Sequence, residues 1–217
     1  MARQAPAYAG NSFGTVETVG AAGVFGQVMG LVAVTLCFFT AGAYLMRSAT
    51  GAGGILFFLL GFACIVGLNF VRSEGIAVTL LFAAGLFLGL GIGGALHSYA
   101  ESQPDAVWNA AAATALFIGA LGSVGYAIRR DLSFLYRFLF FALLALIVFG
   151  IVTLFASMPA GNVVYAVGGL VIFGGYTIVD FNRMRRAGRG EVVSLAAGIF
   201  LDVVNVFLFF LELFGRN

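Results

Sequence analysis

The stretch VVSLAAGIFLDVVNVFLFFLELF, Val192 to Phe214, is an almost unbroken apolar run with an aspartate, Asp202, about eleven residues in. A helix needs about 20 such residues to cross ~30 Å of hydrocarbon, and only a helix or a closed barrel can cross, because lipid offers no partner to an unpaired backbone group. This run is therefore read as a membrane-spanning helix. Six more of the kind precede it: Val24 to Met46, Ile55 to Val71, Ile76 to Leu96, Val107 to Ile128, Phe134 to Phe155 and Val163 to Phe181. A polar break at Arg72 to Gly75 separates the second from the third; without it they would form one helix too long for a single crossing. The expected fold is all-α and polytopic, with a short N-terminal segment, residues 1–23, ahead of a seven-helix transmembrane domain, residues 24–215.

Composition agrees. Of 217 residues 62% are hydrophobic and 9% charged, and the mean hydropathy is +1.08, whereas a soluble domain carries about 25% charged residues. A soluble enzyme is excluded, and the short connections leave no room for a soluble domain. The basic residues are all arginine, and a net charge of +2 offers no surface for nucleic acid. Alternate loops collect Arg3, Arg72, Arg129, Arg130, Arg137, Arg183, Arg185, Arg186 and Arg189, against Arg47 and Arg216 on the other side. Positive charge is retained on the cytoplasmic face, so the expected N-terminus is cytoplasmic and the C-terminus external. The N-terminus has no apolar core of a cleavable signal peptide.

Small residues recur at helix-contact spacing, Gly85, Gly89 and Gly93 on the third span and Gly119, Gly122 and Gly125 on the fourth. They predict close backbone packing, which is how helices gain contact energy in lipid. Tyr44, Tyr99, Trp108, Tyr126 and Tyr136 fall near span ends, as an aromatic belt does. Cys37 and Cys64 lie within apolar runs and read as small buried hydrophobes.

Several motifs fail. Gly89, Gly91 and Gly94 spell G-x-G-x-x-G inside an apolar helix with no strand before it, so no nucleotide cradle is expected. His97 is the single histidine, which excludes a site built on several imidazoles. Nucleophilic catalysis has no support, no enzyme activity is expected, and no cofactor is implied.

Asp180 and Asp202 are the residues that lipid should expel. A carboxylate inside a span costs about 2.5–3.5 kcal/mol on insertion scales, and is normally kept for pairing, ion passage or proton transfer. Asp180 lies about one turn from the end of the sixth span with Tyr176 on the same face, and Asn205 shares the face of Asp202. If the carboxyls meet in a poorly solvated site, both cannot ionise cheaply; they share one proton, titrate as a unit, and form when fully ionised a weak oxygen site for calcium. With both helices starting in one plane, Asp202 would lie about 10 Å deeper than Asp180. Arg72 is placed to reach a carboxylate as a bidentate partner, with Glu74 as its local alternative.

The run from Asp180 through the Arg-rich turn to Leu201, Asp202, Asn205, Phe207 and Leu208, with Leu213 to Gly215 closing the chain and ArgArgAspLeuSerPheLeu at 129–135, resembles the transmembrane Bax inhibitor motif family. It is most similar to the bacterial branch that contains a pH-sensitive calcium leak protein. The resemblance covers about residues 24–215. It implies a seven-helix bundle with the last helix central, a di-aspartyl pH sensor at Asp180 and Asp202, and a latch arginine at Arg72. The calcium-leak relative carries an acidic residue on the second span; Ile55 to Val71 here has none. The function the resemblance implies is a passive, pH-sensitive cation leak in the inner membrane of a bacterium, with calcium and protons as the ions concerned, lipid as the surroundings and no obligate protein partner. A non-conducting membrane regulator and a proton-coupled transporter are the alternatives.

Overall fold

The computed structural model describes residues 21–48, 53–156 and 161–215; Arg3, Arg216 and most of the expected N-terminal segment lie outside them. The described residues form seven long helices and no strand: α1 (Ala21–Leu45), α2 (Gly53–Gly67, continued by a 3-10 turn, Leu68–Phe70), α3 (Glu74–Ser102), α4 (Pro104–Ala127), α5 (Leu135–Ala156), α6 (Gly161–Met184) and α7 (Val192–Phe214). Each is long and apolar enough to cross a membrane. The protein is a multi-pass, all-α membrane protein.

The expected spans match these helices, with one difference in length. The third was expected to stop at Leu96, but α3 continues to Ser102. Nothing after Leu96 breaks a helix, and His97 and Glu101 face each other one turn apart at 3.3 Å. The break falls at Gln103 (φ −145°, ψ 64°), because Pro104 excludes helical geometry from the residue before it while fitting the first turn of α4.

α7 is the centre of the bundle. In it 61% of the most apolar window is buried, against 6% in each of α2 and α5. It packs against α1, α3, α4 and α6, while α2 packs chiefly on α3 and α5 chiefly on α6. Phe200 and Ile199 are fully enclosed, and Phe39 of α1 meets Phe200 edge to face at 6.0 Å. The two cysteines are free, Cys37 exposed and Cys64 half-buried.

The glycine stripe on α3 lies against the backbone of α1: Gly85 faces the Thr35 carbonyl, Gly89 that of Phe39 and Gly93 that of Ala43. On α4, Gly125 meets the Ile178 backbone and Gly122 the Phe181 ring, but Gly119 faces open space rather than a helix. A methyl group at Gly89 would collide with backbone that cannot yield alone. Gly89→Ala should therefore lose about 3 kcal/mol of stability through overpacking, measured by thermal unfolding in detergent. Gly119→Ala should be neutral or gain up to about 1 kcal/mol, because alanine is the better helix former.

Candidate functional site

The arginine-rich end of the bundle is tied together by one buried amide. Asn182, 1% exposed, sits in the last turn of α6. Its Nδ2 donates to the carbonyls of Gly125 (3.2 Å), Ile128 (2.7 Å) and Arg130 (3.1 Å). Two of these belong to the end of α4, where helical carbonyls have no partner of their own. Its Oδ1 accepts the Leu132 amide at 3.2 Å and Arg186 at 2.7 Å. The connection from α4 to α5 is thereby fixed over α6, which delivers Tyr136, in the first turn of α5, to the α6 face that carries Asp180.

Tyr136 donates its hydroxyl to Oδ1 of Asp180. The other carboxyl oxygen of Asp180 lies against Gly198 of α7, where any side chain would collide with it. Gly198 is one turn before Asp202, so Asp180 approaches α7 about 6 Å from the level of Asp202, less than the ~10 Å expected for helices starting in one plane. α7 begins at Val192, where it was expected, so α6 and α7 are offset along their axes rather than level at their ends.

Thr177, one turn along α6 from Asp180, stands beside Asp202. Its single hydroxyl proton serves two acceptors, the Phe173 carbonyl at 2.9 Å and Asp202 Oδ2 at 3.3 Å. Asp180 and Asp202 are 5% and 3% exposed. Two carboxyls are thus enclosed one turn apart between α6 and α7, with a hydroxyl at each. Among the described residues no arginine hydrogen-bonds to either of them. Arg183 turns to Glu191 (2.7 and 3.1 Å), Arg185 to the Tyr126 carbonyl (3.4 Å), and Arg186 to Asp131 (2.9 Å) and Asn182.

The bond expected from Arg72 to Asp180 is not formed in this structure. Arg72 is exposed, in the extended link between α2 and α3, and makes no hydrogen bond or ion pair with a described residue, Glu74 included. The reason is its place: the end of α2 packs on α3, away from the α6–α7 seam, and Tyr136 takes up Asp180 instead. Tyr176 lies in the same layer, its ring 5.9 Å from those of both Tyr136 and Phe173. Asn205 donates to the Leu201 carbonyl at 2.7 Å and not to Asp202. No group of three or more His, Cys, Asp or Glu side chains is placed to hold a metal among the described residues.

Tyr136, Thr177, Gly198 and Asn182 escape a reading by charge alone. Tyr136 passes for a belt aromatic, yet its hydroxyl holds a buried carboxyl. Thr177 is three residues from Asp180, and that spacing is the one signal that could have found it.

Asp131 is an acid of this end that water reaches. Hydrogen bonds from Ser133, side chain first and then backbone, with Arg186 adding its charge, hold its carboxyl below the ordinary aspartate range. A depressed value means that these contacts persist above the ordinary range and are lost only as pH falls through the lowered one. Asp131 stays ionised from weakly acidic pH upward. Asp131→Asn should therefore leave any pH response near neutrality unchanged, read in the same assay as wild type.

A family profile described as "Inhibitor of apoptosis-promoting Bax1" matches residues 21–217. An uncharacterized protein of Helicobacter pylori is 26% identical over 162 residues, covering 74% of this chain and 70% of the relative. One from Chlamydia muridarum is 28% identical over 193 residues, covering 78% and 81%. An uncharacterized membrane protein of Streptococcus pyogenes serotype M3 is 29% identical over 128 residues, 55% of each chain. The profile spans all seven helices, including the seam that encloses Asp180 and Asp202, and the chain belongs to the Bax1-inhibitor family of multi-pass membrane proteins.

Proposed function

We propose that this protein is a passive, pH-sensitive cation leak, with calcium as its principal ion, in the cytoplasmic membrane of a bacterium. The observation that carries the reading is the enclosure of Asp180 and Asp202 one turn apart with no arginine hydrogen-bonded to either among the described residues. A structural ion pair would have recruited one of the three nearby arginines of the α6 turn. Buried carboxyls left to hydroxyl partners are free to take up and release a proton.

The gate follows from the bonds. Ionised Asp180 accepts a charge-assisted hydrogen bond from Tyr136, which ties α5 to α6, and such bonds are about twice as strong as neutral ones. A proton on Asp180 weakens that tie and loosens the arginine-rich end. A proton on Asp202 reverses its contact with Thr177, so that the carboxyl donates and the threonine proton is left to Phe173. Flux therefore rises as pH falls. The latch expected of Arg72 belongs to this scheme as a second tie on Asp180, made when the α2–α3 link moves inward. The excess of arginine on one side supports a cytoplasmic position for that end and for the N-terminus.

The test is calcium entry into liposomes carrying the purified protein, followed across neutrality. Flux that grows on acidification supports the reading; no flux at any pH rejects it.

A further inference from the structure

On the far side of the membrane from the arginine-rich end, the last three turns of α7 open onto a cavity. It measures about 900 Å³ and lies between the ends of α3, α5, α6 and α7. Its polar lining is Tyr99, Thr153, Asn162, Tyr165, Asn205 and Glu212, and no arginine lines it. Glu212 is half-buried and has no hydrogen bond or ion pair with a described residue. Asn205 commits its Nδ2 to Leu201, which leaves its oxygen as the group it can offer. Thr153 likewise commits its proton, to the Gly150 carbonyl at 2.9 Å.

In an otherwise apolar lining the polar groups are thus one carboxylate, amide oxygens and hydroxyl oxygens, which is the donor set of a hard cation. The position matters as much as the chemistry. Asn205 and Glu212 are seven residues apart and share a face of α7, and Asn205 is one turn from Asp202. The cavity reaches Asn205 and stops about one turn short of Asp202. Between them Phe209 is packed against Tyr165 and Phe173, with ring centres 5.5 and 5.9 Å apart, and fills the space beside Gly169.

We propose that this cavity is a divalent-cation entry site, in which Glu212 supplies the charge and Asn205 and Asn162 supply neutral oxygens, leading to Asp202 past the Phe209 ring. This deepens the leak reading by giving the permeant ion a first binding site, and its cation binding can be tested without flux. A single carboxylate gives weak binding, with Kd on the order of 10⁻³ M, as a conducting path needs if the ion is to leave again.

Terbium ions are the probe, since Tyr99 and Tyr165 in the lining sensitise their emission when excited. With the full-length protein in detergent, wild type should give tyrosine-sensitised terbium emission that calcium displaces. Glu212→Gln should weaken it at least about tenfold, as expected when a ligand is lost, and Glu212→Asp, which keeps the carboxylate, should restore it. Glu101→Gln, whose carboxylate pairs with His97 outside the cavity, should leave it unchanged. In liposomes Glu212→Gln should need about tenfold more calcium for the same entry while its pH response is retained. Emission unaltered by Glu212→Gln, or lost in Glu101→Gln, or not restored by Glu212→Asp in folded protein, overturns the proposal. Glu212-dependent binding in a protein with no flux at any pH leaves the site standing and removes the leak.

Discussion

Asn182→Leu is expected to be the most destabilising single substitution at the arginine-rich end, with a loss of about 3 kcal/mol. The side chain is 1% exposed and its amide serves three carbonyls and one backbone N–H at the end of α4 and in the link to α5. Leucine fills similar volume but serves none of them. An unsatisfied buried polar group costs about 1–3 kcal/mol, and water can reach part of this link, so the sum stops well short of four full penalties. Arg186 also loses its inner partner and keeps only Asp131, an exposed pair worth under about 1 kcal/mol. Thermal unfolding in detergent should show the loss, and hydrogen exchange at Leu132 should rise with it. Asn162→Leu, at an exposed asparagine in the first turn of α6, is the control. Equal stability of the Asn182 and Asn162 variants would mean that the link is held by something else.

Loss of the pH response of flux is the second large effect, and it requires both carboxyls to be removed. In Asp180→Asn with Asp202→Asn the side chains keep their size and cannot change charge. The amide that replaces the Asp180 carboxyl still accepts the Tyr136 hydroxyl, but through a neutral oxygen, which is the weaker tie assigned above to the protonated acid. The double variant should therefore conduct at all pH values as wild type does in acid. Either single variant should retain part of the response, because the remaining carboxyl still titrates, now without its neighbour. A double variant whose flux keeps the wild-type pH dependence would remove the sensor from these residues. Tyr136→Phe separates the tie from the titration: it deletes the hydroxyl and leaves both acids, so basal flux at high pH should rise while a response from Asp202 persists.

The sequence carried much of this. Seven apolar runs each long enough to cross, broken by arginine-rich turns, leave one architecture, because lipid accepts no unpaired backbone. Asp180 and Asp202 were legible for the same reason, being charges where solvation is dear. The glycines at 85, 89 and 93 announced the close approach of α3 to a neighbour, although not that the neighbour was α1. What the runs could not announce was which of them would be inside. α2, α5 and α7 have window hydropathies of 2.2, 2.5 and 2.3, yet 6%, 6% and 61% of those windows are buried. In water a hydrophobic face marks the core; in a bilayer the surroundings are as apolar as the interior, so hydropathy stops discriminating and packing shape decides. The partners of the carboxyls were decided the same way. Arg72 has the charge to bind Asp180 and Tyr136 only a hydroxyl, but the tertiary structure leaves the end of α2 on α3 and lays α5 along α6, and proximity rather than charge chooses the bond.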